Sequence, residues 1–357
     1  MVPAALTGKV VTVLGPVAPG DLGVCLPHEH LICALDQGLD WSCGDERARA
    51  FAAEPVTLAN LEHIHRDPLG NRANLRLDDL DEVAVELRLY AAAGGRAVVD
   101  QTLDELGRDR AALAQVARAT GLHVVAGCGH YVAELQSART AGLTIDELTA
   151  ELRADLLADP RRGGFPCGLI GEIGVSSERI APFELRMLQA VARAQRATGA
   201  PVSLHSVAPG HMGLEALTIL QEHGVDAGKV AVCHLDSGID LDSCREIADE
   251  GAFVEFDCFG WNAPGAGAGG DDLPHCDRER VAAVAALCAE GLTDRLLVSH
   301  DIAMKIQLTA YGGFGYAHLA RNLPPFFARR GVDADTLRRI MVDNPARWLA
   351  WQGPRGS

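Results

Sequence analysis

The chain has 357 residues, 48% of them hydrophobic and 22% charged, which suits one large globular domain or two modest ones with ample core. Its formal net charge of −16 argues against a nucleic-acid or anionic-membrane partner. Ten cysteines are scattered through apolar runs with no C-x-x-C, the pattern of buried reduced thiols rather than of disulfides or a zinc knuckle.

The opening stretch MVPAALTGKVVTVLG lacks the basic region and long apolar core of a signal peptide, and no apolar run reaches membrane-spanning length. A cytoplasmic location is expected. From residue 22 onward, short apolar runs at 22–28, 96–102, 122–128, 167–173, 201–207, 229–235, 252–258 and 295–301 read as strands bounded by Gly, Pro or Asp. Amphipathic stretches lie between them. LDDLDEVAVELRLYAAAGG opens on aspartates and closes on glycines, and RDRAALAQVARATG, PFELRMLQAVARAQRATG, LEALTILQEHG and RERVAAVAALCAEG each end at a glycine. Helix follows strand throughout, so the expectation over 1–357 is a single α/β domain, a (β/α)8 TIM barrel. A doubly wound sheet is the alternative, but the Gly-rich phosphate turn it would carry after its first strand is missing.

Residues 36–76 interrupt the rhythm and read as an elaborated first βα loop; they hold Trp41 and the H-x-H pair His63 and His65. The Gly-rich segment 263–274 reads as a loop after the seventh strand, either an active-site lid or a surface loop. Residues 330–357 read as a C-terminal helix and tail against the barrel.

Active sites of such barrels lie at the C-terminal ends of the strands. Those ends carry His28 and His30 on the first strand, Glu172 on the fourth, His205 on the fifth, His234 on the sixth and Asp301 on the eighth. One strand-end histidine is ordinarily a satisfied core residue. Four, joined by two carboxylates, point to a metal centre, and six donors exceed one four-coordinate site. Two divalent ions sharing a carboxylate are expected, zinc first, with manganese, cobalt or iron also compatible with these donors. A hydroxide held between two such ions would be a nucleophile at neutral pH. His63 and His65 have the same spacing but precede the second strand and read as non-ligands. His300 and His123 read as structural, and Glu29 as facing away from the barrel interior.

The set TVLGPV…HEHL, LIGEIG, LHS, CHLDSGID and LVSHD, running in order from Thr12 to the terminal DNPARWL, resembles the phosphotriesterase-related branch of the amidohydrolase superfamily. The resemblance implies an amidohydrolase-like barrel in which His28, His30 and Asp301 hold the more buried ion and His205 and His234 the more exposed one. Asp301 would also accept the proton of the attacking water. Phosphotriesterase itself bridges its metals with a carboxylated lysine on the fourth strand, but this chain has only Lys9, Lys229 and Lys305. Glu172 would take that role, as in glutamate-bridged relatives, so efficient organophosphate hydrolysis is not implied.

The segment HDIAMKIQLTAYGGFGYAHL resembles the family's K…YGGxGYxH pattern. Lys305 could anchor an anionic substrate group or, equally, hold its own loop through a salt bridge. Tyr131 could hydrogen-bond a substrate oxygen or serve as an aromatic wall. The expected reaction is hydrolysis of a small ester or lactone. Alternatives are amide cleavage in an N-acyl amino acid or amino sulfonate, promiscuous phosphotriester hydrolysis, or a ligand-binding barrel without turnover. A homodimer would be usual for such relatives.

Overall fold

The structure, a computed structural model, describes residues 6–354 apart from 38, 43, 160–163, 177, 208–210 and 262–274. The candidate lid at 263–274 therefore lies outside the described residues.

Eight parallel strands follow one another in strict chain order around one sheet. They are β1 (Val24–Glu29), β2 (Gly95–Asp100), β3 (His123–Cys128), β4 (Leu169–Val175), β5 (Val202–Ser206), β6 (Val230–Val232), β7 (Phe253–Phe256) and β8 (Leu296–Val298). Each coincides with one of the apolar runs. The sheet curls until its last strand meets its first: Asp301 N–H donates to His28 O at 3.2 Å and His30 N–H to Ile302 O at 3.0 Å. The expected (β/α)8 barrel is thus formed, with its seam at the candidate site.

Strand periodicity divides the core into two bodies. Cys25, Ala97, Val99, Val125, Leu169, Ala231, Phe253 and Leu297 point inward and pack on Trp348 and Leu349 of the C-terminal tail. Their neighbours Leu26, Val98, Val124, Ile170, Val254 and Val298 point outward to the helices. The tail is a series of short helices rather than one, over Ala334–Arg338, Arg339–Asp343 and Asn344–Leu349. Trp348 Nε1 donates to Val202 O and Trp351 Nε1 to Gly168 O. Lys229 fastens the same tail, its ammonium donating to the carbonyls of Arg347 at 2.6 Å, Trp348 at 3.0 Å and Ala350 at 2.5 Å. The plug closes the N-terminal end of the barrel and leaves the opposite end for chemistry.

Helix ends follow the signals in the sequence. Asp79 and Asp109 cap the helices Leu80–Ala92 and Arg110–Thr120 through their carboxylates. Helix Pro182–Thr198 closes at Gly199, whose φ of 77° suits glycine. A Cβ there would also meet Gln352 O at 1.8 Å, where the tail crosses.

The elaborated first loop has structure of its own: helices Glu46–Ala52 and Leu61–Arg66, and an antiparallel pair between Cys33–Ala34 and Arg76–Leu77. Its small core of Phe51, Ile64 and Leu75 packs on Met304 and Ile306 from the loop after β8. Ahead of the barrel, Val10–Thr12 and Gly15–Val17 form a hairpin that the apolar-run reading left unassigned. Among the described residues, no helix is long and apolar enough to cross a membrane.

Candidate metal centre

His28 lies in β1 and His30 just beyond it, two residues apart and so on one side of the extended chain. Glu29, between them, points the opposite way and is fully buried. It accepts from Ser299 Oγ, from the His300 and Ile302 amides and from His300 Nδ1. Glu29 and His300 therefore pin β1 to the chain after β8 and keep out of the site. Glu172 enters from β4 behind Gly171, where a Cβ would meet Ser203 Cβ at 2.6 Å, so only glycine lets β4 and β5 approach this closely. His205 comes from β5, while His234 and Asp301 lie just past β6 and β8 with φ of 60° and 51°. Both are non-glycine residues in the left-handed region, a conformation that persists where the surroundings over-determine it.

These side chains form two groups with Glu172 between them. Its Oε1 lies 3.7 Å from His28 Nε2 and 3.4 Å from His30 Nε2. Asp301 Oδ1 lies 3.6 and 3.2 Å from the same two nitrogens. Four donors around an ion at zinc-ligand bond lengths of about 2.0–2.2 Å would be separated by roughly 3.3–3.6 Å in a tetrahedron. The observed spacings bracket that value. Both ring nitrogens of His28 are buried with no hydrogen-bond partner, and Nε2 is the one turned toward Glu172 and Asp301, as a nitrogen reserved for an ion would be. On the other side, Glu172 Oε2 lies 2.8 Å from His205 Nδ1 and 3.2 Å from His234 Nε2, which are 2.8 Å from each other. One carboxylate oxygen thus serves each group. The donor set fits two divalent cations.

A second layer fixes the imidazoles. His30 Nδ1 is 2.9 Å from Thr102 Oγ1, and His234 Nδ1 is 2.9 Å from Asp257 Oδ1. Asp257 Oδ2 accepts from the His234 amide at 3.1 Å and lies 3.3 Å from His28 Nδ1. A single buried carboxylate therefore orients His234 through two hydrogen bonds and lies beside His28 of the other group, as acids behind metal-ligating histidines commonly do. Asp257 is the functional residue that the strand-end reading missed, although it too stands just past a strand end, after β7.

Burial disfavours charge on His28 and His30, but Glu172, Asp257 and Asp301 outweigh it and push the two pKa values up to about 9 and about 10. Burial prevails at His205, whose pKa falls. At Glu172 burial is overcome by His28 and His205, and its carboxyl stays well below the usual range. Cation binding here would displace imidazolium protons and so be proton-coupled.

The centre forms the floor of a cavity of about 350 Å³. Five of the six candidate ligands reach its lining, His28 lying beneath. Tyr131 also lines it, with its hydroxyl 3.2 Å from both ring nitrogens of His205. Burial pushes the Tyr131 phenol well up, so it stays a neutral donor. Lys305 stands apart from these residues. It is absent from the lining, and its ammonium stands 5.6 Å from the centroid of the Tyr311 ring within its own loop. Among the described lining residues, the Lys or Arg that reaches the cavity is Arg280, whose Nε donates to Asp236 at 2.8 Å. His63 is stacked on Phe51 at 3.7 Å in the first loop, apart from the centre. A larger cleft of about 770 Å³ nearby contains His130 and several ion pairs but none of the six candidate ligands.

The family model described as the Phosphotriesterase family matches residues 8–349. N-acetyltaurine hydrolase of Rattus norvegicus is 37% identical over 353 residues, covering 98% of this chain and 100% of that one. A resiniferatoxin-binding protein from Rhodobacter sphaeroides superimposes with a TM-score of 0.88 at 34% identity, over 96% of this chain and 95% of that one. A lactonase from Listeria monocytogenes gives a TM-score of 0.76 at 25% identity, over 96% and 99%.

Proposed function

The chain belongs to the phosphotriesterase family, a family of metal-dependent hydrolases, and on that premise we propose that it cleaves the amide bond of a small N-acyl amino acid or N-acyl amino sulfonate. The observation that carries the hydrolytic reading is Glu172, with one oxygen on His28 and His30 and the other on His205 and His234. His28, His30, Glu172 and Asp301 would hold one ion, and Glu172, His205 and His234 the other. Zinc suits the donors and their spacing best. Bound there, two divalent ions polarise a carbonyl oxygen and lower the pKa of water to about 7.

The chain's own groups supply the remainder. The Asp301 carboxylate, at the cavity floor, takes the proton of the attacking water and returns it to the leaving amine. The Tyr131 hydroxyl donates to the substrate carbonyl oxygen. Ser237, His275 and Arg280, on the side of the loops after β6 and β7, face the polar end of the substrate. Support for an amide comes from relatives above 35% identity over essentially the whole chain that act on N-acetyltaurine.

A neutral lactone or ester is the second reading, favoured by one feature. Arg280 is the single Lys or Arg among the described lining residues, and Asp236 already neutralises it. Turnover of matched N-acyl amino acids, N-acyl amino sulfonates, lactones and esters by metal-replete protein separates the two. The amide reading predicts the highest kcat/KM among the N-acyl compounds; a lactone or ester preference of tenfold or more contradicts it.

A further inference from the structure

The walls above the metal floor are of two kinds. Besides Ser237, His275 and Arg280, the lining holds Leu35, Leu39 and Leu69 of the first loop, joined by Leu106 and Leu135. Leu39 and Leu69 are 42% and 60% exposed, although both are large aliphatic side chains on a structured lobe. Apolar surface left open beside a polar centre marks a binding site for an apolar group.

The same two leucines also line a second cavity, of about 510 Å³, inside the first loop. Trp41, Phe51 and the stacked ring of His63 line it as well. Trp41 satisfies its one polar atom by donating to Asp36 O, leaving its carbon face available. Trp41 and Trp261, the latter from the catalytic cavity, pack on the same small core of Phe51, Ile64, Leu75, Met304 and Ile306. The two cavities therefore share Leu39 and Leu69 and border one small apolar core, while Asp40, Asp45, Arg47 and Asp67 supply the charged part of the second lining.

We propose that the first loop is an acyl-chain-binding lobe: the substrate carries an apolar acyl chain much longer than acetyl, running from the metal floor past Leu39 and Leu69 toward Trp41 and Phe51. This assignment rests on the N-acyl reading for its direction, with the apolar acyl end toward the leucines and the polar amine end toward Arg280. It concerns the lobe, however, and holds for an alkyl-tailed ester equally.

Two series test it on metal-replete protein. In the first, kcat/KM is measured for acetyl, hexanoyl and decanoyl taurine and for the corresponding ethyl esters. A rise of about fourfold for each methylene buried is expected until the lobe is filled. Leu69→Ser and Trp41→Ala should each lower the decanoyl-to-acetyl ratio at least tenfold. A flat or falling wild-type series, or a ratio unchanged in both variants, overturns the proposal. In the second, calorimetry follows acetate, hexanoate and decanoate. Affinity should climb with chain length in wild type and lose that climb in Leu69→Ser. If no N-acyl compound is cleaved at any length, the amide reading fails by itself, and the calorimetric series then decides the lobe: equal affinity for acetate and decanoate overturns it.

Discussion

Replacing Asp257 by asparagine changes almost no volume but alters the carboxylate that accepts from His234 and stands beside His28. In the structure Oδ1 accepts from His234 Nδ1 at 2.9 Å, while Oδ2 accepts from the His234 amide at 3.1 Å and faces His28 Nδ1 at 3.3 Å. An asparagine has one oxygen and one NH₂ for these positions. Turning the oxygen toward Oδ2's partners points the NH₂ at His234 Nδ1. That nitrogen must then become an acceptor, and the proton moves to Nε2, the atom 3.2 Å from Glu172 that would face the ion. Turning it the other way leaves the His234 amide without an acceptor and points the NH₂ at His28 Nδ1. Either orientation spoils one ligand, and losing such an orienting partner typically costs about 10–100-fold in metal affinity or activity. Zinc titration of apo protein by competitive chelator, paired with kcat/KM, measures both. Asp257→Asn should retain its melting temperature within a few degrees while binding one of the two ions at least tenfold more weakly. Affinity within twofold of wild type for both ions would refute this role of Asp257.

The remaining predictions concern three other groups. Lys229→Met removes the donor to three tail carbonyls, and with about 1–3 kcal/mol per buried group left unsatisfied it should destabilise the fold by roughly 3 kcal/mol in urea melts; a loss under about 0.5 kcal/mol contradicts the tail-fastening role. His130 sits between Glu105 and Glu151, which overcome burial and raise its pKa. Its stabilisation is therefore full below about pH 6.5, the unfolded value, and is lost as pH rises through the raised folded value. The melting-temperature gap between wild type and His130→Gln should shrink across that window, and a gap constant with pH counts against it. Lys305→Ala should change kcat/KM for anionic and neutral substrates by the same factor, because its ammonium faces Tyr311 rather than the cavity. A selective loss on anionic substrates would return Lys305 to the site.

The barrel is legible in the sequence because each strand is buried on both faces and so reads as a continuous apolar run. Once the runs are placed, topology does the rest: His28, His30, His205, His234 and Asp301 are found by asking only what stands at strand ends. The pair His63 and His65 has identical spacing and lies in a helix of the first loop, where one ring stacks on Phe51. Asp257 was passed over because an aspartate after a strand looks like an ordinary turn former, and its partners come from β1 and the end of β6. The direction of Lys305 is illegible for a different reason. A loop has no side-chain period, so nothing in HDIAMKIQLTAY tells which way the lysine turns. The acyl lobe is the least legible feature, since Leu39, Trp41 and Leu69 belong to an irregular stretch whose cavities exist only after it folds against the loop following β8.

The central claim is that Glu172 bridges two cations held by side chains from five different strands. Anomalous diffraction from crystals of the zinc-loaded protein tests it most directly. Two peaks about 3.5–4 Å apart are expected, one among His28, His30 and Asp301 and the other between His205 and His234, with one Glu172 oxygen on each. A single peak, or two ions with Glu172 bound to only one of them, would contradict the account.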